Sequence, residues 1–123
     1  NAMTAKENLD AVNEMGNKGM EKMSQLGELN MKVMEKIASR QMDAMNFMME
    51  QSMRQMKLAS ESKGYNEFVK GQVDLAKETG ERMMEETKAN MQIATEVRDG
   101  YRSFVQEGMS ELSDGVRKAS PVA

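Results

Sequence analysis

Methionines three residues apart are the feature of this sequence nearest to chemistry. Met20/Met23, Met31/Met34, Met42/Met45, Met45/Met48 and Met53/Met56 each place two thioethers within one helical turn. Soft thioethers can hold Cu(I). The chain has no His and no Cys to complete such a site, however. The pairs also fall on an apolar stripe at helical spacing, which explains them without a metal. Other chemistry is weaker still. Without His or Cys there is no nucleophile–base pair and no zinc cluster. Glu85-Glu86 is the only adjacent acidic pair, and neighbouring side chains point apart on a helix. Paired catalytic carboxylates need a shared enclosed site. The glycines form no phosphate-cradling loop. The sequence therefore predicts no enzyme, no catalytic residue, no cofactor and no metal.

Bulk composition supports that reading. The length of 123 residues suggests one domain, 1–123. Leu, Ile, Val and Phe number only 19, a level usually associated with disorder. A net charge of only −3 and 16 methionines argue for order instead. The single Pro, Pro121, lies beyond any helix it could break. Asn1 and Ala2 ahead of Met3 read as a tag-cleavage remnant. "TAKENLDAVNEM" has no apolar core, so no signal peptide is expected. The longest apolar run is Phe47-Met48-Met49, far short of the ~20 residues of a membrane span. Lys and Arg are dispersed among Asp and Glu, which argues against nucleic acid. The lack of cysteine fits a cytoplasmic protein.

The elements that must position the methionines are long helices. In residues 9–60 apolar side chains recur every eleven residues. The columns are Leu9, Met20, Met31, Met42, Met53; Val12, Met23, Met34, Met45, Met56; Met15, Leu26, Ile37, Met48, Ala59; and Gly16, Gly27, Ala38, Met49, Ser60. They span an arc of roughly 120°. Eleven residues make three turns at about 3.67 per turn. Lys22, Glu35, Asn46, Glu50 and Lys57 are placed on the opposite face.

Residues 66–113 read better with a seven-residue repeat. One column is Val69, Ala76, Met83, Asn90, Val97, Phe104; the other is Val73, Gly80, Thr87, Ala94, Tyr101, Gly108. The second column is small enough for close helix approach, and Thr87 and Asn90 are candidates for fixing register. The packing face expected here is Val69, Val73, Ala76, Met83, Val97, Tyr101 and Phe104.

Gly64 in "SESKGYNEF" is the break candidate, as a residue that ends the first helix. The expected architecture is all-α: helix 1 over about 5–61, a turn at about 62–66, helix 2 over about 66–114, and a frayed tail over 115–123. The two long amphipathic helices are expected to form an antiparallel hairpin, with one unbroken rod as the rival. Such a hairpin cannot bury both stripes alone, so association into a coiled-coil or helix-bundle homo-oligomer, a dimer or tetramer, is predicted. The expected apolar-binding and oligomer face is Met20, Met23, Met31, Met34, Met42, Met45, Met48, Met49, Met53 and Met56. Methionine is mobile and polarizable, and it packs against shapes not fixed in advance.

The stretch "LGELNMKVMEKIASRQMDAMNFMMEQSMRQMKLASES" followed by "YNEFVKGQVDLAKETGERMMEET" resembles the phasins. The resemblance rests on Leu29, Asn30 and Glu35, then Gln51, then Glu67, Phe68 and Gln72. It covers roughly residues 26–112. The Asp-Pro that phasins often carry before the E-F pair is replaced by Gly64-Tyr65-Asn66. The resemblance implies a non-enzymatic, cytoplasmic coat on polyhydroxyalkanoate storage granules. Such a coat limits granule size, prevents coalescence and recruits granule enzymes. The competing readings are a coiled-coil scaffold or chaperone-like adaptor that binds partner helices, and a purely structural oligomer.

Overall fold

A computed structural model of the chain describes residues 4–119. The remnant expected at Asn1 and Ala2, and the end of the tail at 120–123 with Pro121, lie outside the described residues. The fold is all-α. Helix α1 runs Ala5–Glu61 and helix α2 runs Tyr65–Ala119. They form an antiparallel hairpin whose contacts divide into two units. The turn unit is Glu35–Thr95, and the terminal unit combines Asn1–Met34 with Glu96–Ala123.

Each helix starts on a defined cap. Thr4 and Glu7 form a reciprocal capping box. The Glu7 N–H donates to Thr4 Oγ1 at 3.1 Å, and the Thr4 N–H donates to Glu7 Oε2 at 3.4 Å. Between the helices only Ser62, Lys63 and Gly64 are non-helical. The Ser62 N–H donates to the Leu58 carbonyl at 3.2 Å, and its hydroxyl donates to the same oxygen at 2.5 Å. The Lys63 N–H donates to Glu67 Oε2 at 3.3 Å. Gly64 has φ +157° and accepts the Phe68 N–H on its carbonyl at 3.0 Å. Its role thus differs from the expected one. It opens α2 as the N-cap rather than closing α1, and its positive φ is a region that only glycine occupies freely.

The expected fraying from residue 115 does not occur before Ala119. One glycine inside a helix costs about 1 kcal/mol relative to alanine, which an otherwise capped helix tolerates. Met15 Cγ lies 3.9 Å from where a Cβ on Gly115 would stand. Arg117 and Lys118 occupy the last turn, where cations offset the helix dipole.

The residues that pack across the seam between the helices are polar as often as apolar. In α1 and the link after it the half-buried positions include Lys18, Leu29, Arg40, Gln51 and Ser62, and Lys36, Phe47 and Leu58. Each series steps by eleven. In α2 they include Gly71, Arg82, Ile93, Phe104 and Gly115, and Leu75, Glu86, Val97 and Gly108, again in steps of eleven. Both helices therefore share one period. The seven-residue pattern expected for α2 walks around it by about 33° per repeat at 3.67 residues per turn. That drift explains a split. Val69, Val73, Ala76 and Met83 are exposed, while Val97, Tyr101 and Phe104, further along, are half-buried in the seam.

Close approach also occurs where the small-residue column did not put it. The Leu58 side chain occupies the space a Cβ on Gly71 would need, and Leu29 Cδ1 lies 3.3 Å from that of Gly100. Gly80 has nothing within 4 Å. No described residue is buried.

Candidate apolar binding face

In the turn unit the seam is tied by charge and amide groups. Arg40 Nε donates to Asn90 Oδ1 at 2.8 Å, and its Nη2 meets the Glu86 carboxylate. Arg82 Nε donates to the other Glu86 oxygen at 3.2 Å. Thr79 Oγ1 donates to Gln51 Oε1 at 2.7 Å, and Arg54 pairs with Glu78. Arg82 also lies 5.4 Å from the centre of the Phe47 ring. The Arg82 hydrogen bond above all, with the nearby Arg40 charge, holds the Glu86 carboxyl below its ordinary value of 4.5, against a smaller opposing effect of burial. Asn90 thus reaches across the seam, whereas Thr87 bonds within its own helix to the Met83 carbonyl at 2.9 Å.

The terminal unit follows the same plan. Lys22 lies in the seam rather than on a solvated face. It reaches Glu107 at 3.7 Å and Glu111 at 3.4 Å, with its ammonium 5.3 Å from the Phe104 ring centre. The Tyr101 hydroxyl donates to Asn30.

With polar groups turned inward, the methionines of α1 turn outward. Met20, Met23, Met31, Met34, Met42, Met45, Met48, Met49, Met53 and Met56 are all between 62% and 74% exposed. They are not the seam of the hairpin. On a wheel of eleven columns their centre stands about 130° from the seam. The column between the two methionine flanks reads Asn8, Gly19, Asn30, Gln41, Ser52. Together with the four apolar columns it makes a sector from Asn8 to Ser60 with no charged side chain. The Asp, Glu and Lys residues of this stretch of α1 occupy the seam and the other flank. Glu14 and Lys18 form an ion pair at 3.3 Å along α1, while Arg54 pairs with Glu78 of α2.

Sequence reasoning missed the seam residues Arg40, Gln51, Thr79 and Glu86. The signal was present: each belongs to an eleven-residue series, but one that mixes polar with apolar residues, as in Leu75, Glu86, Val97 and Gly108, and a search for apolar columns passes over it. Among the described residues no three His, Cys, Asp or Glu side chains are grouped to hold a metal ion. No helix among them is long and apolar enough to cross a membrane.

Fold and face together define an amphipathic helical hairpin, with its polar contacts inside and an uncharged thioether surface outside. The family described as "Phasin protein" matches residues 4–109, and the chain belongs to that family. It is therefore a non-enzymatic protein associated with polyhydroxyalkanoate granules. The chain is also 49% identical to an uncharacterized protein of Allochromatium vinosum, over 98% of this chain and 100% of that protein. No solved structure matches it.

Proposed function

We propose that this protein coats the surface of polyhydroxyalkanoate granules in the cytoplasm through the methionine face of α1, limiting granule size and keeping granules from coalescing. The observation that carries the reading is the exposure of ten methionines in a charge-free sector of a phasin-family chain. A polyester surface is apolar and has no fixed atomic positions. An amphipathic helix adsorbs to such a surface through its apolar face and turns charge to water. Thioether side chains adapt to its irregularities. The charged flank then separates coated granules by repulsion and bulk. Away from polymer, the same face closes against further copies of the chain in a dimer or tetramer. Recruitment of granule enzymes would use the charged side.

The test is sedimentation of purified protein with polyhydroxybutyrate particles, with hydrophilic beads as control. The expected result is retention on polyester only. Replacing Met34, Met45 and Met56 by Glu abolishes that retention if the reading holds. Retention of the triple variant on polyester at the parent level would remove α1 as the binding face and favour a scaffold that binds partner helices.

A further inference from the structure

The two flanks of the seam in the turn unit differ in chemistry. One groove is lined by Ser52 and Gln55 of α1 with Ala76, Gly80 and Met83 of α2, and no charged residue lines it. The other is lined by Arg54, Lys57 and Glu61 of α1 with Glu67, Asp74 and Glu78 of α2. Both helices therefore turn their uncharged columns to the same side. On α1 these columns lead from Ser52 outward to Met45 and Met56. On α2 they lead from Gly80 and Ala76 outward to Val69, Val73, Met84 and Met91. Val73 is 48% exposed and Met84 64%. Every Asp and Glu of residues 35–95 lies in the seam or towards the charged groove.

We propose that the turn unit takes up polyester as a closed hairpin lying on its uncharged side, with Val69, Val73, Met84 and Met91 of α2 joining the methionines of α1. This rests on the granule-coat reading and adds how the chain lies. The occupant is fixed by chemistry. A polyester offers neutral ester groups and hydrocarbon, and it has neither cations to meet carboxylates nor donors to meet amides. The uncharged side has no carboxylate or ammonium to pair, and its few amides, Gln55 among them, can donate to the ester carbonyls. The seam argues against opening. A spread hairpin would lay Arg40, Gln51, Thr79 and Glu86 against polymer without partners, and buried polar groups need partners. Closed, they keep the bonds they already have.

The experiment locks the seam. The chain has no cysteine, so Q51C/T79C places a single pair of thiols across the seam for a disulfide, where Thr79 Oγ1 and Gln51 Oε1 already meet. If the disulfide does not close, a bis-alkylating bimane bridges the same pair. Locked and reduced proteins are compared for binding to polyhydroxybutyrate particles. Equal binding, within about twofold, is expected. Loss of binding on locking alone would overturn the closed mode. Loss in both forms would instead count against the granule reading itself.

A second arm tests the side. V73E and M84E should each weaken adsorption roughly tenfold, because a carboxylate is carried into an apolar contact. S39E, on the charged side, should not. A V73E protein that adsorbs like the parent overturns the proposal. If it also falls to a smaller oligomer, that side is a contact between copies instead.

Discussion

Arg40 and Glu86 meet half-buried in the seam between α1 and α2, and neither is held by the other alone. Arg40 also reaches Asn90 and Asp43, while Glu86 also accepts from Arg82. The carboxylate thus sits between two guanidinium groups at the point where an apolar coiled coil would place leucine. Neutralising it removes a counter-charge from both arginines and leaves Arg40 with Asp43.

The pH response follows from the sign of that shift. Glu86 titrates below its ordinary value of 4.5 in the folded hairpin. Its stabilising effect is therefore fully present above that value and is lost as pH falls through the lowered one. Thermal unfolding followed by circular dichroism should show a falling midpoint as pH drops below about 4.5, and E86Q should flatten that fall. An unchanged slope in E86Q would show that Glu86 does not couple to folding.

Gly71 and Leu58 offer a test of seam packing. Gly71→Val would overpack against the Leu58 side chain and should destabilise the hairpin by about 1–3 kcal/mol. Leu58→Ala in the same chain should recover part of that loss, by making room. Denaturant unfolding of the two single variants and the double variant gives the coupling directly. Strict additivity would mean that the helices do not approach at this point.

Gly64→Ala addresses the turn. The position needs a backbone region that alanine reaches at a cost of about 1–3 kcal/mol. The variant should unfold at lower denaturant concentration, with its helicity otherwise kept. Unaltered stability would mean that the link from Ser62 to Tyr65 reorganises without strain.

Replacing Met34, Met42, Met45, Met49 and Met53 by leucine tests why thioethers are used. Volume-conserving swaps of this kind cost less than about 1.5 kcal/mol, and both residues are good helix formers. The variant should keep or gain thermal stability and adsorb more slowly to polyester particles, because the oligomer proposed above would hold together more firmly. Oxidation of the parent to sulfoxides should weaken both self-association and adsorption. Stopped-flow light scattering on particles separates these outcomes. Leucine protein that adsorbs as fast as the parent would remove flexibility as the reason for methionine.

The helices and their eleven-residue methionine columns were legible because nothing in the chain competes with helix over more than fifty positions. The methionine face was legible as a stripe, but its direction was not. An apolar stripe is ordinarily read as the inside of a bundle. Here Lys22, Arg40, Gln51 and Glu86 take the inside, and their pairing across 28 residues or more cannot be read from local spacing. Val69 and Phe104 show the same limit. A heptad column joins them, yet the common eleven-residue period leaves one outside the seam and one within it. Gly64 was found for its freedom at positive φ, although the residue it serves is Phe68 in α2 rather than the end of α1.

The shared period also makes length a separable property of the fold. Removing or adding eleven residues in each helix, at points opposite one another, would return every seam residue and every outward methionine to its own column. Five residues would turn the outer sector by about 130° and bring carboxylates under it. The reach of such a hairpin can therefore change only in whole steps, with its wetting surface and its internal ties carried along unaltered.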